Sequence, residues 1–400
     1  MQLCFFSDEI ADNFLPLTLT RPVSELRVGI LTIREKWERS ITTSFTTGIY
    51  KAHLQPLFDN TQALNQEDCI WINSRFLPTK KMVKSIFNLP TGMLLEYDGL
   101  VIAARISFSD SKTMLEKGKF DASGLNKKEA DFETNHISFL WDLLSKNGVE
   151  ISADIERLGT KSLIDKKAMP NSTCIHNEHI FIEEGAVVEP GSILMANEGP
   201  IYIGKNTIIE AGSILKGPVA ICESATVKMN ARIYNATTVG PVCKVGGEVS
   251  NSIFHSYSNK GHDGFVGNSL IGQWCNLGAD TNTSNLKNNY GIVYLQNWKT
   301  KKPYKEGIQF FGTVMGDHSK TSINTALNTG TACGVSSNIF VSGFPPKYIP
   351  SFSWLGDNKL QTYRFEKAIE AMQAMMKRRG VHLDDNYGKM MKSIFDSINH

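Results

Sequence analysis

From Ile203 onward an aliphatic residue recurs at every sixth position: Ile203, Ile209, Leu215, Ile221, Val227, Ile233, Val239 and Val245. Four residues after each stands a small or β-branched one: Thr207, Ser213, Val219, Ala225, Ala231, Thr237, Cys243 and Val249. A period of six is neither the 3.6 of an amphipathic helix nor the 2 of a half-buried flat strand. It is the period of a chain wound as a coil of three short strands, each aliphatic side chain pointing into a shared interior and each small residue letting the next corner close. The same frame occurs earlier at Ile182, Val188 and Leu194, resumes after Phe265 at Ile271 and Leu277, and returns with looser chemistry at Met315, Thr321, Leu327, Cys333 and Ile339. Corner signals such as Glu189–Gly191 and Glu210–Gly212 fit it. The register predicts a parallel β-helix of about six coils, interrupted by an insertion around Asn282 to Gly312.

The chain of 400 residues is longer than one ordinary core and carries 42 Lys and Arg against 40 Asp and Glu. Such a balance supplies no one-sided field for nucleic acid or an anionic membrane surface, so neither is expected as a partner. The seven cysteines are scattered and contain no C-x-x-C pair, which fits a reducing compartment. Asp8 and Glu9 interrupt the start before any apolar core forms, and no run of 18 apolar residues occurs. A cytoplasmic, soluble protein is the expectation.

Residues 1–160 lack the hexad. Strand-like runs LCFFS, CIWINS and GLVIAARIS alternate with helical patterns such as Ser24 to Ser40, which predicts an α/β layer domain. The β-helix then occupies 161–355, and 356–400 form a helical tail. In the tail Asp357 is the expected N-cap and Gly380 the expected C-cap, with Leu360, Tyr363, Ile369, Met372 and Met376 on one face.

Chemistry concentrates in Lys260 to Asn285, KGHDGFVGNSLIGQWCNLGADTNTSN. This stretch resembles the catalytic segment of the bifunctional N-acetylglucosamine-1-phosphate uridylyltransferase / glucosamine-1-phosphate N-acetyltransferase family. His262, Gly267, Gly272, Asn276, Gly278, Ala279, Thr281 and Asn285 fall on matching positions without a gap. Phe265 stands where the family has a tyrosine, Asn268 an aspartate, Asp280 a glycine and Ser250 a lysine. The resemblance implies a left-handed β-helix acyltransferase that works as a homotrimer on acetyl-CoA and a sugar phosphate. It gives His262 the part of general base, since attack of an amine on a thioester needs a group of near-neutral pKa to take the proton. Glu248 would hold the second imidazole nitrogen. Arg232 would grip the sugar phosphate and Asn276 the sugar; the backbone at Ala279 and the side chain of Asn285 would receive the pantetheine arm. His255 and His318 lack motif spacing and are read as structural.

The segment Phe14 to Glu38 resembles the opening of sugar-nucleotide pyrophosphorylases: Pro16, Leu17, Thr18 and Pro22 match, while the phosphate-cradling glycines are absent and the signature lysine falls on Val23. Arg21 and Lys36 are the candidate nucleotide-binding cations, beside Asn73 where the family places a Mg²⁺-binding aspartate; no metal ligand set is assigned. The layout as a whole resembles an alternative bacterial branch of this bifunctional family. The implied activity is acetylation of glucosamine 1-phosphate from acetyl-CoA and uridylyl transfer from UTP, with Mg²⁺ as the accompanying ion, giving UDP-N-acetylglucosamine. The alternative is an acyltransferase with a different amino-sugar acceptor and a first domain that binds nucleotide without catalysis. A non-enzymatic scaffold would keep the hexads and need no histidine at 262.

Overall fold

The structure, a computed structural model, describes residues 2–43, 45–61, 64–160, 169–357 and 359–398. The chain forms two compact units. One comprises Met1–Phe14, Thr20–Leu26 and Leu31–Leu140; the other comprises Leu15–Leu19, Arg27–Ile30 and Trp141–His400. The expected start of the second domain, residue 161, lies outside the described residues.

In the first unit, strands β1 (Gln2–Phe6), β2 (Phe45–Gly48), β3 (Cys69–Asn73), β4 (Met93–Tyr97), β5 (Leu100–Ile106) and β6 (Asn126–Glu129) form one mixed sheet in the order β2-β1-β3-β5-β4-β6. β1 runs parallel to both β2 and β3, so the strand order reverses at β1, and the carboxyl ends of β1 and β3 mark the switch point at which open α/β sheets as a class have their crevice. Cys4, Phe6, Cys69, Trp71, Leu94, Ala104 and Ile106 pack on one face of the sheet. The helical pattern expected over Ser24–Ser40 is realised only as α1 (Ile33–Ser40), started by a Thr32–Glu35 capping box. Gly29 interrupts it at φ +79°, where a Cβ would lie 2.5 Å from Asp154 Oδ2 and 2.7 Å from the Glu150 carbonyl carbon.

Those contacts belong to the second unit. Here the helix Leu140–Leu158 presents Asn147 and Asp154, which accept from the amides of Gly29 (2.6 Å) and Ile30 (2.8 Å), while Thr238 Oγ1 donates to Gly29 O (3.0 Å). The rest of the unit is a parallel β-helix with three faces. Face one carries Ile193–Met195, Ile214–Lys216, Arg232–Tyr234, Glu248–Ser250 and Phe265–Gly267; face two is a nine-stranded sheet; face three carries Val187–Val188, Ile208–Ile209, Thr226–Val227, Lys244–Val245 and Asn259–Lys260. Equivalent residues stack in register, as Leu194, Leu215, Ile233, Val249 and Val266 do on face one. Both hexad columns are interior: the eight aliphatic residues from Ile203 to Val245 and the small residues from Thr207 to Cys243 are all 0% exposed.

Nine strands on face two mean more coils than six, because the looser hexads at Met315 and Cys333 continue the same column, which ends on Ile349. The frame also slips: Val266 points inward and Phe265 outward. The insertion leaves after Asn282–Thr283, which still pairs with Ala326–Leu327, and the coil resumes at Thr313. The tail differs from expectation near its start. Ser353–Gly356 and Lys359–Thr362 form an antiparallel hairpin that extends face three, so Leu360 and Tyr363 are not helical; the helix begins at Phe365, ends at Lys377 and is followed by another at Asp385–Asp396. The sheet edge gains a partner strand by this route, which hexad and helical periodicity alike conceal.

Because the interior is one continuous stack, truncating a single member leaves a void no neighbour can fill. Leu215→Ala is expected to destabilise the β-helix by about 2–5 kcal/mol, whereas the outward Thr226→Ala should stay within about 0.5 kcal/mol; denaturant unfolding followed by far-UV circular dichroism compares them.

Candidate functional site

Outward positions on successive coils stack just as inward ones do, so face one sets Arg232, Glu248 and Phe265 in one column and Tyr234, Ser250 and Gly267 in the next. Arg232 Nη2 lies 3.1 Å from Glu248 Oε2, and Tyr234 donates its hydroxyl to Glu248 Oε1 at 2.6 Å. The Tyr234 bond, followed by the Arg232 guanidinium, holds the Glu248 carboxyl below its ordinary value. Burial together with the Glu248 carboxylate pushes the Tyr234 phenol up to about 12. No hydrogen bond joins Glu248 to His262, so the carboxylate's partners in this structure are Tyr234 and Arg232 rather than the imidazole.

His262 is exposed on the corner Gly261–Gly264, between face three and the strand Phe265–Gly267. The equivalent corner of the preceding coil is only Gly246–Gly247. A Cβ at Gly247 would lie 2.9 Å from His262 O and one at Gly246 2.9 Å from Gly261 O, so the paired glycines let the His262 corner settle directly on the shorter one. Beneath it, Lys260 takes the interior position that Val227 and Val245 occupy in the coils before. It is 1% exposed, donates to His262 O (2.6 Å) and Asp263 O (3.0 Å), and is pushed down to about 8 by burial.

At the edge of face one lies a cavity of about 680 Å³. Tyr234, Ser250, Phe265, Asn268 and Asn285 line one side and Phe310 of the insertion closes part of another; none of its lining residues is charged. Asn285 Nδ2 donates to Asn268 Oδ1 at 2.7 Å. Thus Ser250, Phe265 and Asn285 meet in one concavity, with Glu248 and Arg232 on the same face. Ala279 sits on the corner of the following coil, linked to the His262 corner by Asp280 N to Asp263 O (3.0 Å). Asn276 stands on face three, its Oδ1 accepting from Asn259 Nδ2 at 2.8 Å, on the far side of the corner from Glu248. His318 is buried against Trp274 and 2.8 Å from the Tyr387 hydroxyl, in keeping with a structural part.

Sequence reasoning missed Tyr234 and Lys260. Tyr234 follows Arg232 by two residues, the strand alternation that keeps both outward, and this was a usable signal. Lys260 lies past the break in the hexad frame, where its inward phase cannot be counted from Val245.

In the first unit Asn73 ends β3 at the crevice, and its Nδ2 donates to Asp8 Oδ2 (2.9 Å) just beyond β1. Arg75 Nε donates to the same oxygen (2.6 Å) and its Nη1 to Ile137 O and Ser138 Oγ (both 3.3 Å). Arg21 and Lys36 are buried, Lys36 completely, so neither presents its charge at the surface. Mg²⁺ prefers carboxylates free to coordinate it. Asp8, the carboxylate bonded to Asn73, is already ion-paired, and among the described residues no group of three His, Cys, Asp or Glu could hold a metal. The residues at this crevice do not fit the ion. Among the described residues no helix is long and apolar enough to cross a membrane.

An α/β first unit is thus followed by a hexad β-helix bearing an exposed histidine corner and a cavity lined in part by amides. Residues 3–162 match the family model described as sugar nucleotidyl transferase. The Bifunctional protein GlmU of Methanococcus maripaludis is 32% identical over 228 residues, covering 57% of this chain and 47% of that protein; its namesake in Methanocaldococcus jannaschii is 30% identical over 201 residues, covering 50% and 42%. In Synechococcus elongatus the figure is 26% over 195 residues. The chain is thus similar to sugar nucleotidyl transferases over residues 3–162 and to these GlmU proteins over part of its length. It spans about half or less of the length of these curated relatives. A solved Arabidopsis UDP-N-acetylglucosamine acyltransferase aligns with 58% of the chain at 11% identity and a TM-score of 0.24.

Since the Tyr234 hydroxyl is the main influence on Glu248, Tyr234→Phe is expected to raise the carboxyl pKa more than Arg232→Gln does. Carbon-detected NMR titration of labelled glutamate reads both, and a larger rise with Arg232→Gln would show that Arg232 dominates instead.

Proposed function

We propose that the β-helix is an N-acetyltransferase that moves an acetyl group from acetyl-CoA to an amino-sugar 1-phosphate, glucosamine 1-phosphate being the first acceptor to test. The observation that carries this reading is the single cavity lined by Ser250, Phe265 and Asn285, with His262 on the corner leading into the Phe265 strand. The sugar amine attacks the thioester carbonyl, His262 accepts its proton, and the tetrahedral oxyanion collapses to the amide as CoA leaves as a thiol. Asn276 and Asn285 supply amide groups for sugar hydroxyls and the pantetheine arm. Following the family likeness, the assembly is a homotrimer in the cytoplasm. The first unit receives the acetylated product and UTP at the β1/β3 crevice, to give UDP-N-acetylglucosamine.

A second reading is favoured by a specific observation. The cavity has no charged lining residue, and Arg232, the cation beside it, is held by Glu248. A sugar-phosphate dianion is poorly matched to such a surface, since anion sites bring cations or several N–H donors to the phosphate. An amino sugar whose phosphate lies outside the cavity, or a sugar nucleotide, would suit it better.

His262→Ala is expected to lower CoA release with the true acceptor by about 10²–10⁴-fold, the contribution typical of a general base; a thiol-capture assay over a panel of amino-sugar phosphates and sugar nucleotides reads both the base and the acceptor. Omitting UTP or acetyl-CoA in turn and weighing products by mass spectrometry tests the first unit. Formation of UDP-sugar from N-acetylglucosamine 1-phosphate and UTP alone supports uridylyl transfer, and its absence leaves that unit a nucleotide-binding or structural one.

A further inference from the structure

The face-three column that points into the β-helix runs Val188, Ile209, Val227, Val245, Lys260. Four aliphatic residues are followed by a primary amine that is 1% exposed. Nothing in the packing calls for a charge there, and burying an ammonium without compensation is costly. Compensation is supplied by the chain itself: Nζ donates to the carbonyls of His262 at 2.6 Å and Asp263 at 3.0 Å. Both acceptors lie on the corner that carries the exposed His262 side chain. The corner is otherwise secured by the glycine contact with Gly246–Gly247 on one side and by the Asp280 amide to Asp263 O on the other. Gly264, which closes it, has φ +108°, and a Cβ there would lie 2.4 Å from Thr281 O.

We propose that Lys260 is a positioning residue for His262: from inside the β-helix its ammonium clamps two successive carbonyls of the corner and so fixes the direction in which the imidazole leaves the chain. The effect on catalysis rests on the acyl-transfer reading above; the clamp itself does not.

The experiment compares the full-length protein with Lys260→Met, which keeps an unbranched chain of similar length without the donor, and with Val245→Ala, which damages the same column one coil away. The expected result for Lys260→Met is a fall in kcat of about tenfold or more with the KM for acetyl-CoA within about twofold, and greater backbone mobility of His262 and Asp263 by NMR relaxation. Val245→Ala should lose stability yet keep kcat and the corner's relaxation. The proposal is overturned if Lys260→Met keeps the wild-type kcat and corner mobility, or if Val245→Ala reproduces both changes. Should the wild-type protein release no CoA with any acceptor, the acyl-transfer reading fails, while the relaxation of His262 and Asp263 still decides whether the clamp exists.

Discussion

Everything in the second unit depends on one constraint: each face of each coil must send one side chain into an interior that is shared by every coil. An isolated coil has no core, so the stack is stable only when its neighbours bury the same column. Parallel pairing in strict register then aligns the outward residues as well. Arg232, Glu248 and Phe265 become neighbours although they are 16 and 17 residues apart along the chain, because each occupies the same place in its own coil. A site built this way is positioned by the backbone ladder rather than by a mobile loop, which is what a catalytic arrangement needs.

The same constraint explains where irregularity is tolerated. Corners project away from the stack and can change length without breaking it, provided their backbone groups find partners. Val245 to Val249 spans four residues where the preceding steps of the column span six, and the loss falls at Gly246–Gly247. The shortened corner makes room for the next one to sit close, and the interior position beneath it changes from valine to lysine. Deviation from the hexad and the proposed catalytic corner therefore coincide, the pattern expected where local consistency is given up for chemistry.

This is also why some of the architecture was legible in the sequence and some was not. Between Ile203 and Val245 the period is unbroken, and the interior residues could be named one by one. Past that point two short steps destroy the phase, so Lys260 could not be recognised as interior, nor Phe265 as exterior. The histidine corner was legible only because a motif, independent of phase, marks His262, Asn276 and Asn285. Glu248 and its partner Arg232 were found by the same resemblance, but Tyr234 was not: two residues past Arg232 it shares the outward phase, yet only stacking of the coils sets its hydroxyl on Glu248. In the tail, the hairpin Ser353–Thr362 displaced a helix whose apolar spacing it shares in part, since capping a sheet edge outweighs local helical preference.

The first unit turns on a different interaction. Where a nucleotidyl transfer site would bring glycine amides and free cations to a triphosphate, the β1/β3 crevice carries Asp8, whose one oxygen takes both Asn73 Nδ2 and Arg75 Nε. Arg75 is nearly inaccessible and its Nη1 donates to Ile137 O and Ser138 Oγ. Turning that guanidinium toward a phosphate would strip Asp8 of its cation and leave a carboxylate facing the incoming anion, while deleting Asp8 would leave a buried charge uncompensated at a cost on the order of 3 kcal/mol. A phosphate that took Arg75 Nε as its partner would replace the Asp8 carboxylate there, a one-for-one exchange of anions. Such an exchange is feasible for a group of modest charge and unfavourable for a triphosphate without a counter-ion, so the chemistry of this crevice depends on what arrives with the nucleotide more than on the residues already in place.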